Sequence, residues 1–168
     1  SVRLGWTGGV NKRSVAELVI AFAIALLRHI PDVAFALRGG RWDGGGGRQL
    51  TGRAVGLVGC GHVGKEVVRL LAPFDCQLLV HDIRAMPDFF RAQGIEAVTL
   101  EELLTRAEIV TLHVPLSDGT ANLINAGRLA LMREESILIN TARGGIVDEA
   151  ALKSSLREGR IAGAGFDV

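Results

Sequence analysis

The sequence predicts an α/β fold with a doubly wound parallel sheet. Two observations lead to this prediction. Short β-prone runs alternate with helical patterns from about Leu50 to Val168, and a glycine-rich turn separates the first run from its helix. Consecutive parallel strands are joined by right-handed helical crossovers, so this alternation favours a sheet whose ligand sites lie at the carboxyl ends of the strands.

The first predicted strand and helix flank the glycine-rich turn. Ala54–Val58 is β-prone, and residues 63–71 carry an apolar stripe with helical spacing. Between them, Gly59 permits a tight turn, Gly61 lets the backbone approach a pyrophosphate, and Gly64 lets the helix press against the strand. Free N–H groups and the positive end of the helix dipole favour an anion there. The pattern therefore predicts a Rossmann-type dinucleotide site.

Asp82 follows the second predicted strand, Gln77–His81. It comes after Gly64 at about the 20-residue spacing expected of a carboxylate that binds the adenosine ribose hydroxyls. Such a carboxylate repels a 2′-phosphate, which favours NAD over NADP. Arg84 keeps NADP open as the alternative, because an inward-turned guanidinium can bind that phosphate. The alternative interpretation of Asp82 itself is a turn or helix-capping residue.

The remaining elements continue the alternation. We predict helices over residues 87–93, 100–106, 127–133 and 148–157, and strands over residues 108–113, 136–140 and 161–168. Pro115 ends a strand because it cannot donate to a sheet ladder. Gly159 provides the stop after the last helix.

An apolar helix from Ser14 to about Ile30 precedes this core. Ser14 and Glu17 have the spacing of a capping box, which places the helix start at Ser14. Apolar residues surround the helix instead of forming one stripe, so it must be covered on more than one side. A homodimer interface and deep burial within one domain both explain this pattern. The apolar run is shorter than the roughly 20 residues that cross a bilayer.

Domain organisation follows from these elements. A second short helix opens at Pro31 and ends at the glycine pair 39–40, and residues 44–47 form a flexible connection. We interpret residues 1–168 as a single domain, with a helical segment and glycine-rich linker over residues 1–45 and a Rossmann core over residues 50–168.

Composition narrows the functional classes. The chain has 168 residues, 48% of them hydrophobic, which suits one well-buried domain. Its formal net charge of +1 gives no general attraction to nucleic acid or to an anionic membrane. Cys60 and Cys76 match neither a metal-binding spacing nor a disulfide framework. We therefore expect a cytoplasmic protein without a metal, a nucleic-acid partner or a membrane anchor.

Four motifs in the second half follow the glycine turn in order. They are His113-Val-Pro-Leu116, Thr120-Ala-Asn-Leu-Ile-Asn125, Asn140-Thr-Ala-Arg-Gly-Gly145 and Ile161-Ala-Gly-Ala-Gly-Phe-Asp-Val168. Together with the turn they resemble the D-isomer-specific 2-hydroxyacid dehydrogenase family, most closely its D-3-phosphoglycerate dehydrogenase-like branch. The resemblance covers nearly the whole chain.

This resemblance implies roles for individual residues. Arg143 would bind the carboxylate and the oxo or hydroxyl group of a 2-hydroxy or 2-oxo acid, for which a guanidinium fork is suited. Its alternative role is to tie its loop to a nearby acid. We interpret His113 as a packed residue in preference to a general base. The implied cofactor residues are His62 and Val63 at the pyrophosphate, Val114 and Pro115 at the adenosine, Thr141 and Ala142 at the nicotinamide, and Asp167 at the carboxamide.

The function that the resemblance implies is hydride transfer between NAD and a D-2-hydroxy acid. Family enzymes carry an acid–base glutamate and histidine after the Phe-Asp-Val segment, and a substrate domain, neither of which is in this sequence. General acid–base catalysis contributes about 10² to 10⁴-fold, so we expect the chain alone to bind NAD without turnover. The alternative function is a dinucleotide-sensing, co-repressor-like interaction protein.

Overall fold

A parallel sheet organises the described residues, 7–42 and 46–168, in this computed structural model. In chain order its strands are β1 Ala54–Val58, β2 Gln77–His81, β3 Glu96–Ala97, β4 Ile109–Leu112, β5 Ile137–Asn140 and β6 Gly163–Phe166. Their spatial order is β3-β2-β1-β4-β5-β6, with every neighbouring pair parallel. This order confirms the predicted doubly wound sheet, in which the winding direction reverses between β1 and β4.

Helices cover both faces of the sheet. They are α1 Lys12–Leu27, α2 Ile30–Arg38, α3 His62–Leu71, α4 Pro87–Ala92, α5 Leu100–Arg106, α6 Ala126–Leu129 and α7 Glu149–Arg157, with a short 3-10 turn over Ala72–Phe74. Alternate strand residues point to opposite faces. One face buries Val55, Leu57, Ile109 and Ile137 under α1 and α3, and the other buries Val58, Val110, Leu112 and Leu138 under α5 and α7.

Helix α1 completes the first of these faces. It packs against α3 and against β5 and β6, where the Phe22 ring lies over Gly165 and Leu26 lies over Gly163. The buried carboxylate of Glu66 in α3 accepts hydrogen bonds from Arg13 of α1 and from Arg69, each at 3.1 Å. Burial within the domain therefore explains why one side of α1 is apolar.

In the part of the chain that the structure describes, no single helix is long and apolar enough to cross a membrane. Taken together, α1 and α2 pass that test by length and composition, but the pair is bent by 64°.

The predicted start of α1 at Ser14 is wrong. The helix begins two residues earlier, at Lys12, and Ser14 lies in its first turn. The Ser14 hydroxyl donates to the carbonyl of Asn11 at 3.0 Å, and the Glu17 carboxylate accepts from Arg13 at 2.7 Å. Neither side chain caps the helix, because both have partners within the helical turn.

The predicted end of α1 is also wrong. The helix stops at Leu27 because His29 adopts a left-handed conformation with φ 52°, and α2 begins at Ile30 with Pro31 in its first turn. Of the predicted connection over residues 44–47, residues 44 and 45 lie outside the described residues. Residues 1–6 also lie outside them.

Other element bounds differ by a few residues. The four-residue α6 is shorter than predicted, and β6 occupies only the middle of the predicted last strand. Asp148 precedes α7 as its N-cap, where its carboxylate accepts from the backbone N–H of Ala151 at 3.0 Å. The two-residue strand β3 was not predicted; it pairs with β2 at the edge of the sheet.

Helix α5 has the capping box that α1 lacks. The Thr99 hydroxyl accepts from the backbone N–H of Glu102 at 3.2 Å, and the Glu102 carboxylate accepts from the backbone N–H of Thr99 at 2.9 Å. The helix packs so closely on β1 that a Cβ at Gly56 would overlap the side chain of Leu103.

We expect Thr99→Ala to lower the free energy of unfolding by about 1 kcal/mol, because it removes an N-cap. Ser14→Ala, the matched control, is expected to change it much less, since Ser14 caps nothing. Urea unfolding followed by circular dichroism measures both. Equal destabilisation by the two substitutions would contradict the observed start of α1.

Candidate functional site

Two cavities that share residues open at the carboxyl ends of β1 and β4. These strands end in register, with Val58 paired to Leu112, so the turn after β1 lies beside the loop after β4. A cavity of about 430 Å³ is lined by Gly59, Gly61, His81, Asp82, Ile83, Arg84, Val114, Pro115 and Thr120, among others. A cavity of about 290 Å³ is lined by Gly9, Asn11, Val15, His62, Val63, His113, Val114, Pro115, Thr141, Ala142 and Arg143.

Two glycines of the turn are required by the protein itself. Gly59 has φ +93°, and a Cβ there would lie 2.9 Å from the carbonyl oxygen of His113. A Cβ at Gly64 would lie 2.5 Å from the carbonyl oxygen of Gly59. Any larger residue at either position would separate α3 or the β4 loop from the turn. The two glycines thus hold the first turn of α3 directly behind the cavity.

Gly61 differs from its two neighbours. It precedes α3 with φ −76°, a value that any residue adopts, and the nearest atom to a Cβ there is Nη2 of Arg84, at 3.7 Å. Neither backbone strain nor protein packing therefore requires glycine at this position. The absence of a side chain leaves room for a ligand to approach the backbone beside the N–H groups at the start of α3.

Asp82 lies at the mouth of the larger cavity. Its carboxylate accepts hydrogen bonds from the backbone N–H of Cys60 at 2.7 Å and from the backbone N–H of Arg84 at 2.8 Å. Burial opposes ionisation of Asp82, but the Arg84 side chain and these two N–H groups outweigh it and lower its pKa. The residue is thus an anion that ties β2 to the glycine turn.

The Cys60 thiol stays protonated at neutral pH. Burial is the larger cause and the Asp82 charge the second, and together they raise the pKa of Cys60 to about 11. The thiol is therefore a packed group of the turn.

His113 is a packed residue at the junction of the two cavities. Its Nε2 lies 3.1 Å from the hydroxyl of Thr111, a fully buried side chain of β4. Burial lowers the pKa of His113 to about 4, so the ring is neutral at pH 7. These contacts support the interpretation of His113 as a packed histidine.

The smaller cavity combines a cation with an unpaired hydroxyl. The Thr141 hydroxyl oxygen is buried and has no hydrogen-bond partner among the residues that the structure describes. Arg143 is exposed; its Nη1 donates to the carbonyl of Ala142 at 2.6 Å, and it forms no ion pair within residues 7–42 and 46–168. The structure thus gives no support to Arg143 as a tie to a nearby acid. The guanidinium is therefore accessible to a ligand, whereas the Thr141 hydroxyl is a buried polar group beside it.

The residues suggested by the sequence are not all brought together. Gly64 is buried behind the turn, and Asp167 is exposed after β6, where its backbone N–H donates to the carbonyl of Asn140 at 3.1 Å. Neither residue lines either of these two cavities. Within the described ranges, no cluster of three His, Cys, Asp or Glu side chains is arranged to hold a metal.

Three lining residues come from the start of the chain and were missed by the sequence reasoning. Gly9, Asn11 and Val15 form a wall of the smaller cavity, and a Cβ at Gly9 would lie 2.8 Å from the His62 side chain. Of these three residues, Asn11 had a signal in the local sequence, because a polar residue before an apolar helix is typical of an N-cap. Its proximity to Arg143 is set by the packing of α1.

Comparison with known proteins identifies the family. Residues 20–168 match the model of the D-isomer specific 2-hydroxyacid dehydrogenase, NAD binding domain. The chain belongs to this family. The match confirms the predicted NAD-binding domain, and the glycine turn and Asp82 lie within the matched residues.

Similar proteins carry several names within this family. The chain is 37% identical to the D-3-phosphoglycerate dehydrogenase of Methanocaldococcus jannaschii, over 92% of the chain and 30% of that protein. It is 39% identical to the glyoxylate reductase of Thermofilum pendens, over 96% of the chain and 50% of that protein. Among solved structures, the D-lactate dehydrogenase of Aquifex aeolicus, complexed with NAD and lactic acid, superposes with a TM-score of 0.87 at 30% identity, over 94% of the chain and 48% of that protein. The chain thus spans about half, or less, of the length of these relatives.

The glycines of the turn provide a matched pair of substitutions. We expect Gly61→Ala to leave the thermal unfolding temperature nearly unchanged, because the nearest atom to its Cβ is Nη2 of Arg84 at 3.7 Å. It should weaken NADH binding at least about tenfold, because the Cβ would lie where the pyrophosphate is expected to approach the backbone. Gly64→Ala is expected to lower the unfolding temperature, because its Cβ meets the Gly59 carbonyl. Differential scanning fluorimetry and NADH fluorescence titration separate the two effects. Full-strength NADH binding by a folded Gly61→Ala variant would contradict the assignment.

Proposed function

We propose that this chain is the NAD-binding domain of an enzyme that transfers hydride between NAD and a D-2-hydroxy acid or its 2-oxo acid. One observation carries the proposal: the exposed guanidinium of Arg143 and the unpaired buried hydroxyl of Thr141 line the same cavity as His62 and Val63 of the glycine turn. A cation that binds carboxylates therefore lies beside the NAD-binding turn.

The residues present fit the dinucleotide. The open face of Gly61 and the N-terminus of α3 suit the pyrophosphate, and the anionic Asp82 suits the adenosine ribose. Ile83, whose side chain is 98% exposed at the larger cavity, offers an apolar surface to the adenine. The other cavity residues assigned to NAD are Gly59, His62, Val63, Val114, Pro115, Thr141 and Ala142. Gly64 and Asp167, which line neither cavity, are assigned from the family resemblance. When bound, NAD supplies the hydride acceptor or donor.

Arg143 is the proposed catalytic residue. A guanidinium binds a carboxylate through two parallel hydrogen bonds and stabilises negative charge on a neighbouring carbonyl oxygen. The names of the relatives support the substrate class, since they include a glyoxylate reductase, a hydroxypyruvate reductase and a D-lactate dehydrogenase. Asn11, in the wall of the same cavity, is positioned to contact the substrate or to border it.

In the complete enzyme that we propose for this chain, Arg143→Gln is expected to lower kcat/KM for a 2-oxo acid by at least about 100-fold, because a charge-assisted hydrogen-bond pair is lost. The Kd for NADH should change less than about twofold. Arg157→Gln, an exposed arginine of α7 outside both NAD-site cavities, is the control. Stopped-flow and steady-state NADH absorbance measure these constants.

The 168-residue chain alone should bind NADH without turnover. Among the described side chains that line the smaller cavity, the ionisable ones are His62, His113 and Arg143. Burial lowers the pKa of His113 to about 4, which makes its neutral ring a weak base. Oxidation of a D-2-hydroxy acid by this chain would contradict the expectation, and failure of the folded chain to bind NADH would contradict the proposed function.

We propose in addition that the chain forms a homodimer through the apolar helix predicted over Ser14–Ile30, which is α1 in the structure, together with the α2 segment that follows it. The domain buries Ala16, Val19 and Ala23 of α1 but leaves large apolar residues of the neighbouring segment uncovered. They include Ile30 at 50%, Phe35 at 74% and Trp42 at 83% exposure. These three residues follow one another within residues 30–42, and exposed apolar residues that lie close together are typical of a protein interface.

We infer a single domain over residues 1–168 and a cytoplasmic location, where the two free thiols would stay reduced.

The dimer is tested by Phe35→Asp, which places a charge in the proposed interface. We expect light scattering to show a dimer for the unmodified chain and a monomer for this variant. Leu156→Asp is the control, since Leu156 is exposed on α7 outside the proposed interface. A monomeric unmodified chain at micromolar concentration would contradict the proposal.

A further inference from the structure

The side chain of Arg84 covers the carboxylate that is assigned to the adenosine ribose. Its Nε lies 3.3 Å from Oδ1 of Asp82, and its Nη2 lies 3.4 Å from Oδ2. The Asp82 side chain is only 5% exposed, whereas that of Arg84 is 63% exposed. The guanidinium therefore lies between the carboxylate and solvent.

The same guanidinium reaches the glycine turn. Its Nη2 is 3.7 Å from the position of a Cβ at Gly61, and Arg84, Asp82 and Gly61 all line the cavity of about 430 Å³. One cation thus lies between the proposed pyrophosphate position and the proposed ribose position. By contrast, Arg91 pairs with Asp88 at side-chain exposures of 80% and 96%, and neither lines this cavity.

A ribose that binds Asp82 must replace a donor that is already there. Of the donors on this carboxylate, the N–H groups of Cys60 and Arg84 belong to the backbone and are held by the turn and by the end of β2. Only the guanidinium is carried by a flexible side chain. Binding of the cofactor therefore requires the guanidinium to move away from Asp82.

We propose that Arg84 is an internal counter-ion of the adenosine subsite, whose guanidinium leaves Asp82 and pairs with a phosphate group of the ligand instead. Arg84 thereby reduces the preference of the site for NAD over NADP. This inference rests on the NAD site of the proposed function. With NAD, release of the guanidinium exposes Asp82 to the ribose, but the guanidinium finds no 2′-phosphate to bind. With NADP, the released guanidinium binds the 2′-phosphate and offsets its repulsion by Asp82.

The test compares matched ligands that differ only in the 2′-phosphate. Calorimetry on the 168-residue chain would measure Kd for NADH against NADPH, and for AMP against adenosine 2′,5′-bisphosphate. We expect Arg84→Ala to raise the Kd for both 2′-phosphorylated ligands at least about tenfold, as loss of a charge-assisted hydrogen bond does. The Kd for NADH and AMP should stay the same or fall. Arg84→Lys, which keeps the charge without the fork, should lie between.

Arg91→Ala is the matched control, since it removes an arginine that pairs with a carboxylate away from this cavity. It should change none of the four affinities. An unchanged ratio of NADPH to NADH affinity in folded Arg84→Ala would overturn the inference. Equal weakening of all four ligands would also overturn it, because Arg84 would then bind a phosphate common to them. Failure of the unmodified chain to bind NADH would instead contradict the proposed function.

Discussion

The close contact between the turn after β1 and the start of α3 is the constraint on which the site depends. Gly64 can approach the Gly59 carbonyl only because it lacks a Cβ, and Gly59 can lie against the His113 carbonyl for the same reason. These contacts place the N-terminus of α3 at the reversal point of the sheet, where β1 and β4 end side by side. The site is therefore a property of the sheet order as much as of the glycine motif.

Asp82 connects this turn to the neighbouring strand. Its hydrogen bond from the Cys60 N–H stabilises the turn, and its charge is partly neutralised by Arg84. The structural role of Asp82 and its proposed role in ribose binding are therefore coupled. The same carboxylate can keep its two backbone N–H donors and accept from the ribose once the guanidinium has moved away.

The N-terminal helix links the fold to the chemistry of the site. It covers the half of one sheet face over β5 and β6, and the residues that precede it form a wall beside Arg143. The Arg13–Glu66 pair and the His62–Gly9 contact tie this segment to α3. A segment far from the glycine turn in sequence thus shapes the cavity that faces the substrate in our proposal.

The sequence by itself determined the sheet type, the positions of most elements and the core of the site, because these depend on local signals. Short stretches of sequence contain these signals: the glycine spacing, the β-prone runs, and the ordered motifs around Val114, Thr141 and Arg143. The two-residue strand β3 has no such signal, since edge pairing with β2 defines it. Tertiary structure alone decided that Ser14 is not a cap, that Gly9 and Asn11 lie beside Arg143, and that Arg84 covers Asp82. Those outcomes depend on packing and on competition between hydrogen-bond partners, which no short window of sequence contains.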